Sequence, residues 1–244
     1  MNKNALRGFA VSGLLVMGLT ACSGAGTSTD AASAPASEAG TPTPTEAPFR
    51  TYSKAELTSM VGDVRDAKGT RLMVMPEDRL ADTLKQVKDL LANVTVEPAA
   101  CANFLTGGGI QMEEGATISI GASASSTAET ANLLSLFSGV SEDKVKAVSE
   151  KSAKDLAACG NVQMTIMGEV VQASSKALPT SAKTPGAIAY RSTVAGTAGS
   201  QNQLFVSAVK SGVVLVAQST GTKVEDSELP KLEAMLDEAA DLIK

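Results

Sequence analysis

Residues 203–219 read Gln-Leu-Phe-Val-Ser-Ala-Val-Lys-Ser-Gly-Val-Val-Leu-Val-Ala-Gln-Ser. Two runs rich in β-formers, 203–209 and 213–219, flank Lys210-Ser211-Gly212, which reads as a hairpin turn. The second run is unbroken and apolar from Val213 to Ala217. Such a run suits a central strand covered on both faces. Downstream, Pro230 sits in the first turn of a helix, and Leu229, Leu232, Leu236, Ala239 and Ile243 form one stripe. That stripe is expected to pack on the sheet.

Working upstream, Ile188–Val194 reads as another strand, and Val162, Met164 and Ile166 alternate as strand residues do. Ala116 to Ala122 alternates too, with Ile118 and Ile120 on one face, and Arg71 to Met75 is a short apolar run. Two further helices are expected. Pro76-Glu77-Asp78 opens one, with Leu80, Leu84, Val87 and Leu91 at helical spacing. Ser141-Glu142-Asp143 opens the other, with Val145, Val148 and Leu156 along it. The order is helix-rich first and strand-rich last, closed by a helix. That predicts an α+β fold with a mostly antiparallel sheet for residues 49–244, about 195 residues and enough for one core.

The first residues are of another kind. Lys3 and Arg7 precede an apolar stretch from Phe9 to Leu19. A span needs about 20 apolar residues, so this stretch fits a signal peptide, residues 1–21. Its end, Leu19-Thr20-Ala21-Cys22, resembles the bacterial lipobox. That resemblance implies cleavage before Cys22, a diacylglycerol on its sulfur, and residence at the cell membrane on the extracytoplasmic face. Two acyl chains suffice for stable anchoring. Residues 23–48 contain no Leu, Ile, Val, Met or aromatic residue. They cannot offset the entropy of ordering, so 22–48 is expected to be a disordered, Ser/Thr/Pro/Ala-rich tether spanning roughly 25–30 Å.

The chain has 21 cations and 26 acids. Lys3 and Arg7 leave with the leader, so 19 cations remain against 26 acids, a net charge of −7. An acidic surface argues against a nucleic-acid partner and against electrostatic docking on anionic lipid. Two cysteines remain, Cys101 and Cys159. In an oxidising compartment pairing is the default, and the bond would contribute up to roughly 4 kcal/mol in the chain-entropy treatment.

The sequence holds no histidine. That removes the Ser-His-Asp and Cys-His nucleophile systems and nearly all zinc, copper and non-haem iron sites. There is no phosphate loop and no calcium loop, so neither a cofactor nor a metal is expected. Gly107-Gly108-Gly109 reads as a turn. Ser141-Glu-Asp-Lys144, Ser200-Gln-Asn202 and Lys210-Ser-Gly212 resemble, in order, the three motifs of penicillin-recognising enzymes. But Ser141 is better placed as a helix N-cap. The last two motifs also fall in one hairpin, where that family keeps them far apart. The paired acids Glu113-Glu114 and Glu225-Asp226 suit solvated or helix-start positions. No catalytic residue is therefore assigned, and the chain is not expected to be an enzyme.

The lipobox, the tether and a cysteine-containing α+β domain ending in a hairpin and helix resemble the cell-envelope lipoproteins of actinobacteria. The folded part is similar to the extracellular sensor domain of a mycobacterial serine/threonine receptor kinase. The similarity lies in Val94-Thr-Val-Glu-Pro-Ala-Ala-Cys101, the helix ending at Cys159, the strands 186–195 and 203–219, and the closing helix. The sensor family carries two disulfides, and this chain has cysteines for one. The resemblance implies a cleft between sheet and helices, and ligand sensing rather than catalysis. Tyr190, Arg191 and Phe205 are the candidate lining residues, since aromatic and Arg side chains anchor ligands well. Phe205 also suits plain core, and Arg191 a solvated strand face. Two alternatives stand beside a sensor. One is a lipid or glycolipid carrier whose apolar cavity is lined by Met73, Met75, Met164 and Met167. The other is a passive envelope protein. A protein partner is not legible.

Overall fold

The computed structural model describes residues 49–102, 115–123, 129–145, 156–197 and 199–244. The signal peptide, Cys22, the tether, Gly107–Gly109, Glu113-Glu114 and Val148 lie outside the described residues.

The expected α+β architecture is present. In chain order the elements are α1 (Lys54–Asp63), β1 (Met73–Val74), α2 (Glu77–Leu91), β2 (Val94–Glu97), β3 (Thr117–Ala122), β4 (Ala131–Ser138), β5 (Asn161–Ile166), β6 (Glu169–Leu178), β7 (Ile188–Gly196), β8 (Gly199–Lys210), β9 (Val213–Gly221) and α3 (Leu229–Leu242). Residues 142–145 and 156–158 are also helical. The strands form one nine-stranded sheet in the order β1-β3-β4-β9-β8-β7-β6-β5-β2. Every neighbouring pair is antiparallel.

The hairpin that opened the reading is β8–β9. Ser211 and Gly212 both take positive φ, 47° and 79°. That pair of angles turns a tight hairpin with the twist of its strands. A Cβ on Gly212 would lie 2.9 Å from both the Arg50 carbonyl oxygen and the Phe49 ring. Glycine is therefore required by the chain passing over the turn as well as by the angle. β9 lies inside the sheet and is buried along nearly its whole length, as its unbroken apolar run predicts.

The two faces of the sheet are covered differently. On the first, the helix face, α1 and α3 pack Leu57, Val61, Leu232, Met235, Leu236 and Ala239 against Leu134, Leu136, Leu204, Val206, Leu215 and Ala217. α1 starts on a capping box: Ser53 Oγ accepts the Glu56 N–H at 3.3 Å, and the Glu56 carboxylate accepts the Ser53 N–H at 2.8 Å. A side chain at Gly121 would run into Val61, so glycine there lets α1 sit close on β3.

The second face is reached by α2. β1 and β2 lie at opposite edges of the sheet, so the helix that joins them has to cross from one edge to the other. Eight strand spacings make that distance roughly 38 Å, and the 15 residues of α2 cover roughly 22 Å of it. Leu80 and Leu84 anchor α2 in the cluster on this face, with Ile118, Ile120, Phe137, Val162, Met164, Tyr190, Phe205, Val214 and Val216. Leu80 is the helix's single fully buried residue. We call this the strap face.

Some elements differ from the expectation. The run Arg71–Met75 yields only the two-residue β1. α1, β2, β4 and β6 are additions to the elements read from sequence. The four methionines proposed to line one cavity do not converge. Met73 and Met167 are exposed, at 59% and 84%, while Met164 is core and Met75 packs at the edge of the strap-face cluster. No helix among the described residues is long and apolar enough to cross a membrane.

Candidate functional site

The strap face is unlike an ordinary core at its centre. Tyr190 on β7 and Phe205 on β8 are directly opposite each other in register. Their rings stack at 4.7 Å between centroids, 15° apart. Side chains two residues apart on a strand share a face. Gln203 and Ser207 therefore flank Phe205 on the same face. Ser192 is opposite Gln203, and Gln218 on β9 is opposite Phe205. Ser135 joins the same face opposite Val216. Ser192, Gln203, Ser207, Gln218 and Ser135 are all buried.

These groups are not all satisfied. Ser175 Oγ donates to Ser192 Oγ at 3.2 Å. Gln203 Oε1 and Ser207 Oγ, in residues 3% and 0% exposed, have no hydrogen-bond partner. Each unmet buried atom costs about 1–3 kcal/mol. The register also keeps charge off this face. Lys176, Arg191, Lys210 and Glu97 all fall on the other side of their strands, and Glu169 at the β5–β6 turn is the one charged strand residue on the strap side.

The helix face holds a different arrangement. Glu233 and Asp237, one turn apart on α3, clasp the connection between β6 and β7. The Glu233 carboxylate accepts the Thr180 hydroxyl at 2.8 Å, the Ser181 N–H at 2.7 Å and the Ser181 hydroxyl at 2.6 Å. Asp237 accepts the Lys183 N–H at 2.9 Å, and the Thr184 N–H and hydroxyl at 2.8 and 2.7 Å. Burial pushes the Glu233 carboxyl up, but the bonds from Ser181 and Thr180 outweigh it and hold it below its ordinary 4.5. Burial acts on Asp237 in the same way. The bonds from Lys183 and Thr184, with the Lys183 charge, hold it below 3.8. An open groove of about 490 Å³ runs beside the clasp, lined among others by Lys183, Pro185, Lys210, Pro230 and Asp241. The carboxylates of buried Glu233 and half-buried Asp237 are occupied by the loop, so the arrangement fastens a connection rather than offering a ligand its acids.

The residues singled out from sequence fall as follows. Tyr190 and Phe205 come together on the strap face. Arg191 points to the helix face, where it pairs with Asp226 at 2.8 Å and reaches the Val224 carbonyl at 3.4 Å. The three therefore do not line one surface. Cys101 and Cys159 form a disulfide with a Cα separation of 5.6 Å, and both are buried. The bond ties the turn after β2 to the segment before β5, its neighbour in the sheet. Ser200 and Lys210 stand at opposite ends of β8, roughly 33 Å apart along the strand. Lys210 Nζ donates to the Ala240 carbonyl at 2.7 Å, so the three penicillin-type motifs do not assemble. Among the described residues, no group of three or more Cys, Asp or Glu side chains is arranged to hold a metal ion. Gln203, Ser207 and Ser192 were missed in the sequence. Their signal was polar residues at period two inside otherwise apolar runs.

The class defined by fold and site is an α+β domain whose nine-stranded antiparallel sheet has one helix-clad face and one face that is partly polar and has no charged strand residue at its centre. No protein-family model matches the chain, and no curated protein matches it. Among solved structures it is similar to the extracellular domain of PknH from Mycobacterium tuberculosis, at 13% identity and a TM-score of 0.49, over 79% of this chain and 98% of that one. It is also similar to an uncharacterised protein from Mycobacterium smegmatis, the Rv0999 ortholog, at 14% identity and a TM-score of 0.39, over 62% of this chain and 76% of that one.

Proposed function

We propose that the chain is an extracytoplasmic lipoprotein, cut before Cys22 and held at the cell membrane by lipid on that cysteine, whose folded part binds a ligand without transforming it. The observation that carries the binding reading is the centre of the strap face. There, two buried oxygens, Gln203 Oε1 and Ser207 Oγ, lack partners beside a stacked Tyr190–Phe205 pair. Buried polar groups in proteins are nearly always satisfied, and exceptions call for a reason. A ligand that supplies the missing donors is that reason here. The Cys101–Cys159 disulfide suits the oxidising space that the address implies.

Two measurements test the proposal. A Cys22→Ala variant is expected to lose lipid labelling and leave the membrane fraction. Retention at wild-type level would refute the address. For the binding reading, the full chain is purified from its native membranes, denatured, and its extract analysed by mass spectrometry. One small molecule at near one per chain, lost in a Gln203→Leu/Ser207→Ala variant, is expected. A chain that yields none, from native membranes and after incubation with a soluble envelope extract, is a structural protein instead.

A further inference from the structure

We propose that the outer edge of β2, with the β5–β6 turn beside it, is a docking corner for an extended segment of a partner protein whose residues alternate between apolar and basic. The segment adds to the nine-stranded sheet as one more strand. The corner lies three strands away from Tyr190, so the proposal goes beyond the ligand reading above and does not depend on it.

The backbone comes first. β2 ends the sheet and, among the described residues, pairs only with β5. Alternate residues of such a strand direct their N–H and C=O groups outward, where another strand can meet them in ladder geometry. Acyl chains have neither donors nor acceptors, which argues against a bilayer as the occupant. β2 is short and carries Glu97, as protected edges do. Yet the surface beside it is apolar. Met167, in the β5–β6 turn, is 84% exposed, and Val170, at the start of β6, is 51% exposed. Ile166 and Val94, opposite each other in register, are half-buried next to the turn. Met167 takes a φ of 51° and Gly168 one of 84°. Such a turn is ordinarily made by Asn-Gly, and a methionine there is strained. Among the described residues, the most exposed large apolar side chain thus stands where the turn itself disfavours it. Such an outlier points to a role outside the fold.

The chemistry of the partner follows from register and charge. Val94 and Val96 face the strap side, and Thr95 and Glu97 the helix side. A strand laid against β2 therefore puts apolar side chains beside the valines and polar ones beside Thr95 and Glu97. Glu97 and Glu169 are exposed, and neither is in an ion pair among the described residues. Basic residues at the polar positions of the partner complement them. A second copy of this chain would bring the same acids to the edge instead. The corner also stands clear of the chain's entry. Residues 49–50 lie against the β8–β9 turn. The β5–β6 turn is at the other end of the strands, roughly 40 Å away along them.

The test uses the full chain in detergent and short fluorescent peptides of three kinds. One alternates valine and lysine, and one alternates valine and glutamate. The third is the lysine peptide with alternate amides N-methylated, which removes its ladder donors. Fluorescence anisotropy is expected to show saturable binding of the lysine peptide, with a Kd on the order of 100 μM or tighter. The other two should bind about tenfold or more weakly. Bound lysine peptide should slow hydrogen exchange within residues 94–97. Met167→Asn/Val170→Thr gives the turn its usual residue and removes the apolar surface. It should weaken binding about tenfold while the thermal midpoint holds or rises. Glu97→Lys should reverse the preference between the lysine and glutamate peptides. A methylated peptide that binds as well as its parent would reduce the effect to charge and overturn strand addition. Equal binding of the lysine and glutamate peptides would overturn the basic partner, and undiminished binding by the Met167→Asn/Val170→Thr variant would overturn the corner. Silence from both unmethylated peptides, or slowed exchange at β1 in place of β2, overturns the proposal. Dimers that form without peptide and protect residues 94–97 would put a second copy in the partner's place.

Discussion

On the helix face, Leu134, Leu136, Leu204, Val206, Leu215 and Ala217 meet α1 and α3 through carbon alone. On the strap face, Phe205, Val214 and Val216 share the floor with Ser135, Ser192, Gln203, Ser207 and Gln218. Apart from Ser192 on β7, the same three central strands serve both, since alternate residues of β4, β8 and β9 point to opposite sides. The apolar cluster on the helix face is the more continuous of the two, although that face also buries Glu233 and Ser219, whose Oγ lacks a partner. Polar atoms buried without partners lower stability. They are tolerated where the remainder of the fold supplies a margin, and the helix face supplies it here.

The largest expected effect tests that margin. Leu215→Ala, on the helix side of β9, should cost about 2–5 kcal/mol, read as a fall in denaturant midpoint at unchanged slope. A cost below about 1 kcal/mol would erase the contrast between the faces. Next, replacing Cys101 and Cys159 together by Ser should cost up to about 4 kcal/mol. The loss should appear in hydrogen exchange at β2 and β5 before β8 and β9, because the bond ties the edge strand β2 to its neighbour β5.

A smaller effect concerns the clasp. Glu233→Gln should cost about 1.5–3 kcal/mol, since the donors of Thr180 and Ser181 lose a charged acceptor. The pH dependence follows in sign. Both carboxyls are held below their ordinary values, so in the acid range the unfolded chain binds more protons than the folded one. The clasp's contribution is fully present above about pH 4.5 and is lost as pH falls through the lowered folded values. A Glu233→Gln/Asp237→Asn double variant should show a shallower acid loss between pH 6 and 3, by circular dichroism, than the unaltered chain. The smallest effect has the opposite sign. Ser207→Ala removes an unmet hydroxyl and should raise stability by up to about 1 kcal/mol. A drop instead would mean that Ser207 is satisfied, and the faces would be alike.

Legibility followed the strength of local periodicity. The β8–β9 hairpin and α3 stood out because turn, alternation and stripe agreed over 40 residues. β6 escaped notice because Gln172, Ser174 and Lys176 are exposed on a stretch of sheet beyond the reach of α3, leaving little apolar pattern. β4 reads Ala-Asn-Leu-Leu-Ser-Leu-Phe-Ser, too apolar on both faces to alternate. α1 buries little besides Leu57 and Val61. Its capping box, Ser53 with Glu56, was nonetheless present as a start signal. The edge strands β1 and β2 are too short to be seen without their partners. The site was half visible. Tyr190 and Phe205 were found as residues, while their pairing depended on register. Arg191 follows Tyr190 directly in a strand, and period two alone puts the two on opposite faces. That an oxygen of Gln203 lacks a partner depends on three-dimensional neighbours that no spacing encodes.

Where the chain enters the fold, the Tyr52 hydroxyl donates to the Lys244 carbonyl at 2.6 Å and accepts the Lys244 N–H at 3.1 Å. Its ring is buried, with the Arg50 guanidinium 4.4 Å above it. The Arg50 N–H donates to the Ser211 carbonyl at 3.0 Å, and the Tyr52 N–H to Ser138 Oγ at 2.8 Å. In mechanical language these contacts are a cleat. Tension arriving along the backbone from residue 49 is borne at Arg50 and Tyr52 and passed to the β8–β9 turn, β4 and the end of α3, before α1 can begin to unwind. Any pull on this end of the domain therefore meets the seating of one tyrosine first.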